Sequence, residues 1–344
     1  MAGRGWIKTD EELRRFAYAN DDIMNKGGYI NLMQQLNRLA RHTKGGLSIK
    51  TQRQYYSHAD QFIRFLADGY GSQNLANISG RHIADYLEER QADGKAASTI
   101  DLDLCAIRYF HDQFDPKATR YSIPDNSMLC KKYGITLDPR KYGGVNRRWT
   151  WAEVNRMVEL AIRYGRYDVS HIIQLGSGLG LRIHEGIRLS CGDAIAALRS
   201  GKLHVKGKNG LKRDVPLRAD MPQLLRAILA TAPGNSDTKL FVPDGKKAHE
   251  VIQSIQAFIS NYRDGVADPG ARPDGVKMTA HGLRHLYAFE RYREFTNEGF
   301  KPAAARLKVA MLIGHSREDI TRIYLAEDKE ENIDVGSGVS AGTE

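Results

Sequence analysis

Three short stretches of this sequence carry side chains suited to holding an anion and attacking it. In "GLGLRIHEGIRLS", Arg182 follows a glycine-rich break and stands three positions before Glu185, one helical turn away. A guanidinium and a carboxylate at that spacing make a surface ion pair, or a carboxylate that orients a working cation. In "TAHGLRHLYAFERY", His281, Arg284 and His285 fall within about one turn of helix. Histidines at i and i+4 have the spacing of a zinc pair, but no acid lies between them. Arg284 beside them would repel a metal and welcome an anion. Packing remains the default for His285, whereas His281 and Arg284 together suit phosphate binding. In "LIGHSREDITRIYL", His315 precedes Tyr324 by nine positions, with a turn and a short helix between them, so the two side chains could meet the same anion.

The whole chain agrees with a polyanionic partner. It has 344 residues, enough for two domains, and 41% hydrophobic residues, enough for folded cores. The 51 Lys and Arg against 41 Asp and Glu leave a formal charge of +10, which attracts nucleic acid first among polyanions. Cys105, Cys130 and Cys191 are an odd, scattered set without a CxxC pair, so a reducing cytoplasm is expected and a disulfide framework or zinc knuckle is not. The N-terminus lacks the apolar run of a signal peptide, and no stretch approaches the ~20 apolar residues that cross a bilayer. The protein is expected to stay where it is made, with no membrane partner.

The elements that must position these residues are mostly helices. Thr9 and Glu12 form a capping box, and Gly27-Gly28 is expected to close that helix. Ile30, Met33, Leu36 and Leu39 line a second helix that stops at Gly45-Gly46; Tyr55, Ala59, Phe62, Ile63 and Leu66 line a third that ends at Gly69. Two more begin near Ser79 and Ser98. Between about Phe114 and Arg148 the periodicity lapses and prolines, glycines and bases accumulate, notably in "DPRKYGGVNRR", which reads as a domain linker. A basic linker either lies along a phosphate backbone or is a plain solvated connector. Thr150 and Glu153 then cap the helix "WAEVNRMVELAIRYG". In "KLHVKGKNGLKRDVPL" two alternating segments flank Asn209-Gly210, a strong hairpin turn. The expected fold is mainly α with one small β-hairpin in the second domain, an α+β class. The expected divisions are an N-terminal helical extension over 1–48, a helical domain over 49–139, a linker over 140–149, a second domain over 150–334 and a flexible tail over 335–344.

Taken in order, Arg182 in "GLRIHEGIRL", a hairpin lysine in "GKNGLKRDVPL", the "HGLRH" box and the "LIGHS…Y" ending resemble the tyrosine recombinase (phage integrase) family over roughly Thr150 to Leu325. Gly186, where the family often has a larger residue, and Arg322, where its pattern is loose, are slight departures. The resemblance implies a helical core-binding domain before a catalytic domain. It also implies a homo-tetramer on double-stranded recombination sites, with accessory DNA-bending proteins in some systems, in the cytoplasm with the nucleoid. Tyr324 becomes the nucleophile, Arg182, Arg284 and His315 the donors to the phosphate, His281 the base, and Lys208 the acid for the leaving oxygen. Lys206 and Lys212 lie near enough that only the family pattern selects Lys208. Glu185 and His285 are expected to support the cluster from behind.

The chemistry is consistent with that set. Attack on a DNA phosphodiester builds charge on the non-bridging oxygens, and two planar, permanently charged guanidiniums meet it without metal, cofactor or ATP. A phenol of pKa about 10 needs a base or neighbouring cations to attack at neutral pH. A phosphotyrosyl ester conserves the bond energy for rejoining. The acidic "LAEDKEENIDV" after Tyr324 is expected to pack on a neighbouring protomer. The rival readings are a type IB topoisomerase or telomere resolvase, a DNA-binding regulator of the same fold without catalysis, and a metal hydrolase using His281 and His285.

Overall fold

The computed structural model describes residues 5–42, 46–139, 144–207, 212–231, 234–314 and 318–326. The chain divides into two compact units, Met1–Lys141 and Tyr142–Glu344.

In the first unit the described residues form α1 (Asp10–Tyr18), α2 (Lys26–His42), α3 (Ile49–Tyr70), α4 (Gly80–Ala92), α5 (Ala97–His111) and α6 (Asn126–Tyr133). Thr9 and Glu12 make the expected reciprocal cap at the start of α1. α3 lies against both α2 and α5, and its buried face is Ala59, Phe62, Ile63 and Leu66. Leu13 of α1 and Leu32 and Leu36 of α2 belong to the same core as Leu87, Leu104 and Leu129, so the first two helices share their apolar faces with the rest of the bundle.

Three local expectations are corrected. α1 ends at Tyr18, and Gly27 and Gly28 lie in the first turn of α2. The cause is Asn25, whose side chain accepts from the Gly28 N–H at 2.9 Å and caps α2. α3 runs past Gly69 to a left-handed cap at Gly71. The stretch read as a linker from Phe114 contains α6, started by the Asp125 cap and buried through Leu129.

The second unit consists, in its described residues, of α7 (Trp151–Arg163), α8 (Tyr167–Leu179), α9 (Ile183–Ile187), α10 (Cys191–Ser200), β1 (Lys202–Lys206), β2 (Lys212–Pro216), α11 (Met221–Thr231), α12 (Ala248–Val266), α13 (Ala280–Asn297), α14 (Pro302–Leu312) and α15 (Glu318–Leu325). β1 and β2 pair antiparallel from Lys202↔Pro216 to Lys206↔Lys212. The mainly helical architecture with one small hairpin is the expected class. α8 is the centre: α7 and α13 pack on it, and Val169, Ile172, Ile173, Leu175 and Leu179 face the core.

A buried ion pair fixes the segment that leads into α7. Glu153 receives two hydrogen bonds from Arg272, at 2.6 and 2.7 Å, and one each from the N–H groups of Thr150 and Asp268. Burial opposes ionisation of Glu153, but these donors outweigh it and hold its pKa below the usual carboxylate range. Arg272 also donates to the Arg148 carbonyl, and Trp149 donates through Nε1 to the Thr279 carbonyl at 2.9 Å. The residues before α7 are thereby stitched to those before α13.

The first turn of α13 is pressed against this stitch. A Cβ at Gly282 would lie 2.4 Å from the Arg147 carbonyl oxygen and 2.7 Å from the Trp149 ring. Gly282→Ala is expected to lower the stability of the second unit by about 2 kcal/mol, the usual cost of overpacking a rigid contact. Urea melts of the two proteins measure it, and equal midpoints would contradict the packing described.

Candidate phosphate-binding site

Arg182 is the N-cap residue of α9, and its place is set by the end of α8. Gly180 closes α8 with φ of 60°, and a Cβ there would strike the Tyr287 ring at 2.3 Å. Glycine at 180 therefore serves both the turn and the close approach of α13. One turn later, Glu185 accepts from the Arg182 backbone N–H at 2.9 Å and from its Nη1 at 3.0 Å. The sequence spacing left open a plain surface pair. Here the Glu185 carboxylate is buried, and Arg182 keeps 22% of its side chain exposed.

Arg284 is fully buried on α13. Its Nη1 donates to the Gly180 carbonyl at 2.5 Å and its Nη2 to the Ile313 carbonyl, while Nε has no hydrogen-bond partner among the described residues. A second nitrogen contact places Nη1 3.8 Å from Glu185 Oε2. Burial, followed by repulsion from Arg182 and Arg213, brings the Arg284 pKa down to about 10, which still leaves it charged at neutral pH.

His281 and His285 stand one turn apart on the same helix, ring centroids 5.1 Å apart. Desolvation, then Arg284, Arg182 and Arg147, pushes His281 down to about 4, although the residue as a whole is exposed. His285 is buried and lies at about 3, through desolvation and then its histidine neighbour. Both are neutral at pH 7. The His285 Nδ1 lies 3.2 Å from the Tyr324 carbonyl oxygen, which only accepts, so the proton of this neutral ring is on Nδ1.

α15 brings Tyr324 onto this cluster. Its ring centroid is 4.5 Å from that of His285 and 5.5 Å from that of His281, and Arg284 Cζ is 5.6 Å from it. Tyr324 is 6% exposed. Arg148 donates to the carbonyl of the next residue, Leu325, which ties α15 to the segment before α7.

The structure thus gathers Arg182, Glu185, His281, Arg284, His285 and Tyr324 from three places in the sequence. Lys208 and His315 lie outside the described residues. The strands flanking Lys208 end at Lys206 and Lys212, both exposed, and the last described residue before His315 is Gly314.

Two further residues join the cluster. Arg147 bears electrostatically on both histidines from the basic segment before α7. Arg213 of β2 places both Nη atoms on Glu185, at 2.9 and 2.7 Å. Only the strand alternation of "KRDVPL" hinted at Arg213, by putting a charge at an inward position.

Three guanidiniums, Arg182, Arg213 and Arg284, surround the single Glu185 carboxylate, so the site has a cationic excess suited to an anion. Burial would raise the Glu185 pKa, but the Arg213 hydrogen bonds and charge, then the Arg182 N–H and Arg284, lower it to about 2. A depressed carboxylate stabilises the fold above its unfolded pKa and loses that contribution as pH falls through the folded value. Glu185 is therefore expected to contribute about 3 kcal/mol at neutral pH, lost between pH 4.5 and about 2. Denaturant melts down this range would show a shallower fall in Glu185→Gln than in the unaltered protein; parallel curves would refute the assignment.

Known proteins resemble this chain in sequence and in fold. Residues 148–331 match the phage integrase family, and residues 39–114 match the phage integrase N-terminal SAM-like domain. The chain is 26% identical over 293 residues to tyrosine recombinase XerC of Vibrio campbellii, covering 81% of this chain and 82% of that protein. It is likewise 26% identical over 310 residues to XerC of Rhodospirillum centenum, with 88% and 84% covered. Among solved structures, a lambda integrase dimer bound to a core site has a similar fold, with a TM-score of 0.58 at 18% identity over 88% of this chain and 97% of that one. With more than half its length in the family pattern, this chain belongs to the phage integrase, or tyrosine recombinase, family.

Proposed function

We propose that this protein is a site-specific recombinase that cuts and rejoins duplex DNA through a 3′-phosphotyrosyl intermediate formed on Tyr324. The observation that carries the reading is the packing of the Tyr324 ring against Arg284, His281 and His285. A nucleophile, cationic donors and a neutral imidazole meet at one place.

In the cleavage step the Tyr324 phenolic oxygen bonds to phosphorus and the bond from phosphorus to the 5′ oxygen breaks. The phenol loses its proton and the departing 5′ oxygen gains one. Arg182 and Arg284 neutralise the non-bridging oxygens as charge builds there. His281 is neutral in the free protein and so able to accept a proton, but at about 4 it is a weak base. A phosphate seated among the arginines raises it, because the anion offsets the cations that hold it down. We assign to Lys208 the protonation of the leaving oxygen and to His315 a further hydrogen bond to the phosphate, on the strength of the family pattern. Rejoining reverses the step with the 5′ hydroxyl of a second end, so neither ATP nor a metal ion enters the balance.

The same reading gives the chain regions their parts. Residues 1–48 extend the helical core-binding domain of 49–139, and residues 140–149 link it to the catalytic domain of 150–334; the expected tail, 335–344, lies outside the described residues. On DNA the protein works as a tetramer joining two sites, and accessory DNA-bending proteins assist where the site demands it. The acidic segment expected to reach a neighbouring protomer lies, from residue 327 on, outside the described residues, and the protein acts in the cytoplasm on nucleoid DNA.

The deciding experiment uses nicked duplexes drawn from a randomised library by covalent capture with the protein. Adduct is expected in EDTA and without nucleotide, and its mapped peptide contains Tyr324. Affinity for the captured duplex falls steeply with added salt, because phosphate contacts release counterions. No adduct, or adduct only when a divalent metal is supplied, would overturn the proposal and leave a DNA-binding regulator or a metal hydrolase in its place.

A further inference from the structure

The hairpin carries a charge where its alternation provides for an apolar residue. The inward positions of β2 are Arg213 and Val215, and Arg213 is buried. It spends its donors on two distant segments. Both Nη atoms hold the Glu185 carboxylate, and Nε donates to the Leu312 carbonyl at 2.9 Å. The turn beyond α14 lies directly on the side chain, since a Cβ at Gly314 would come within 3.1 Å of Arg213 Cδ.

These contacts lead to both phosphate-facing arginines. The carboxylate that Arg213 clamps is the one that receives the Arg182 guanidinium. The turn that Arg213 anchors at Leu312 presents the Ile313 carbonyl to Arg284. Stability alone gives little reason for such a group, because a buried ion pair is often no better than an apolar replacement of the same size. What it supplies is geometry: a planar fork holds both oxygens of a carboxylate through its two Nη atoms while Nε reaches a carbonyl, a rigid arrangement that a lysine, with its three donors on one nitrogen, cannot reproduce.

We infer that Arg213 is a positioning residue that sets the two phosphate-binding arginines, Arg182 through Glu185 and Arg284 through the 312–314 turn. This rests on the recombinase reading above. Arg213 acts through its neighbours and is distinct from the groups assigned to the reacting atoms.

The test compares single-turnover adduct formation by the unaltered protein and Arg213→Lys on two versions of the captured nicked duplex. One carries the ordinary phosphodiester. The other carries a methylphosphonate at the scissile position, which lacks the anionic charge and so relies less on well-placed guanidiniums. Arg213→Lys is expected to be slower by about 100-fold on the phosphodiester, the scale of a small misplacement. On the methylphosphonate the deficit is expected to shrink to less than about 5-fold. The same slowing on both duplexes would mean that Arg213 serves only the fold, and no slowing on either would mean that it positions nothing; each overturns the inference. If Arg213→Lys does not fold, Arg213→Met combined with Glu185→Gln removes both charges and is put through the same comparison, with the same two outcomes expected and excluded. Failure of the recombinase reading shows separately, as absence of adduct in the unaltered protein on the phosphodiester duplex.

Discussion

Tyr324→Phe is expected to abolish the covalent DNA adduct, by at least about 10⁴-fold, because the only atom removed is the one that bonds to phosphorus. The substitution keeps the ring, and with it the packing on His281, His285 and Arg284. The hydrogen bond from His285 goes to the residue 324 backbone carbonyl, so it also survives. DNA affinity and melting temperature are therefore expected to stay close to those of the unaltered protein, and the loss to appear in chemistry alone. Gel-resolved adduct on a nicked duplex, with binding measured in parallel, separates the two. Adduct formation by the Phe variant would show that another residue attacks. The burial of Tyr324 adds a kinetic expectation: α15 must shift before the phenol meets a phosphate, so adduct formation should lag behind binding.

Arg284→Ala should have the next largest effect, and a double one. The side chain is wholly buried and its removal leaves the carbonyls of Gly180 and Ile313 without their donor. Together with the vacated space this should cost about 3 kcal/mol of stability. Cleavage should fall by a further factor of about 10² to 10³ or more, the usual loss when a donor to the developing charge is removed. Arg182→Ala makes the contrast. Its guanidinium is partly exposed where that of Arg284 is wholly buried, so its loss should slow cleavage on a similar scale with a smaller change in melting. Paired melts and single-turnover rates for the two variants test this. Equal destabilisation by both would contradict the different roles that burial gives them.

The charged site shows why these arginines were visible before any coordinates and why their organisation was not. Arg182 and Glu185 lie three residues apart, and His281, Arg284 and His285 share one turn, so helical periodicity alone put each set on a common face. Capping boxes at Thr9 and Thr150 announced helix starts because a cap is completed within four residues. The hairpin strands were visible through their alternation, while the Asn209-Gly210 pair lies outside the described residues.

What needed the tertiary structure is what depends on a partner far along the chain. Gly27 and Gly28 looked like a helix stop, yet Asn25 makes them a helix start, and α6 forms in a stretch whose weak periodicity concealed one buried leucine. Arg213 resembled any hairpin base until the fold laid Glu185 and the 312–314 turn on either side of it. By itself the sequence determined the mainly helical class, the separate local motifs and the chemical types within them, because short-range hydrogen bonding and side-chain periodicity are encoded over a few residues. Only the tertiary structure decided that Glu185 is shared by three arginines, that Arg284 is buried on two backbone carbonyls, and that Tyr324 packs over both histidines. Those facts follow mostly from core packing between segments about thirty to a hundred residues apart, and no local pattern records which distant group will complete a buried charge.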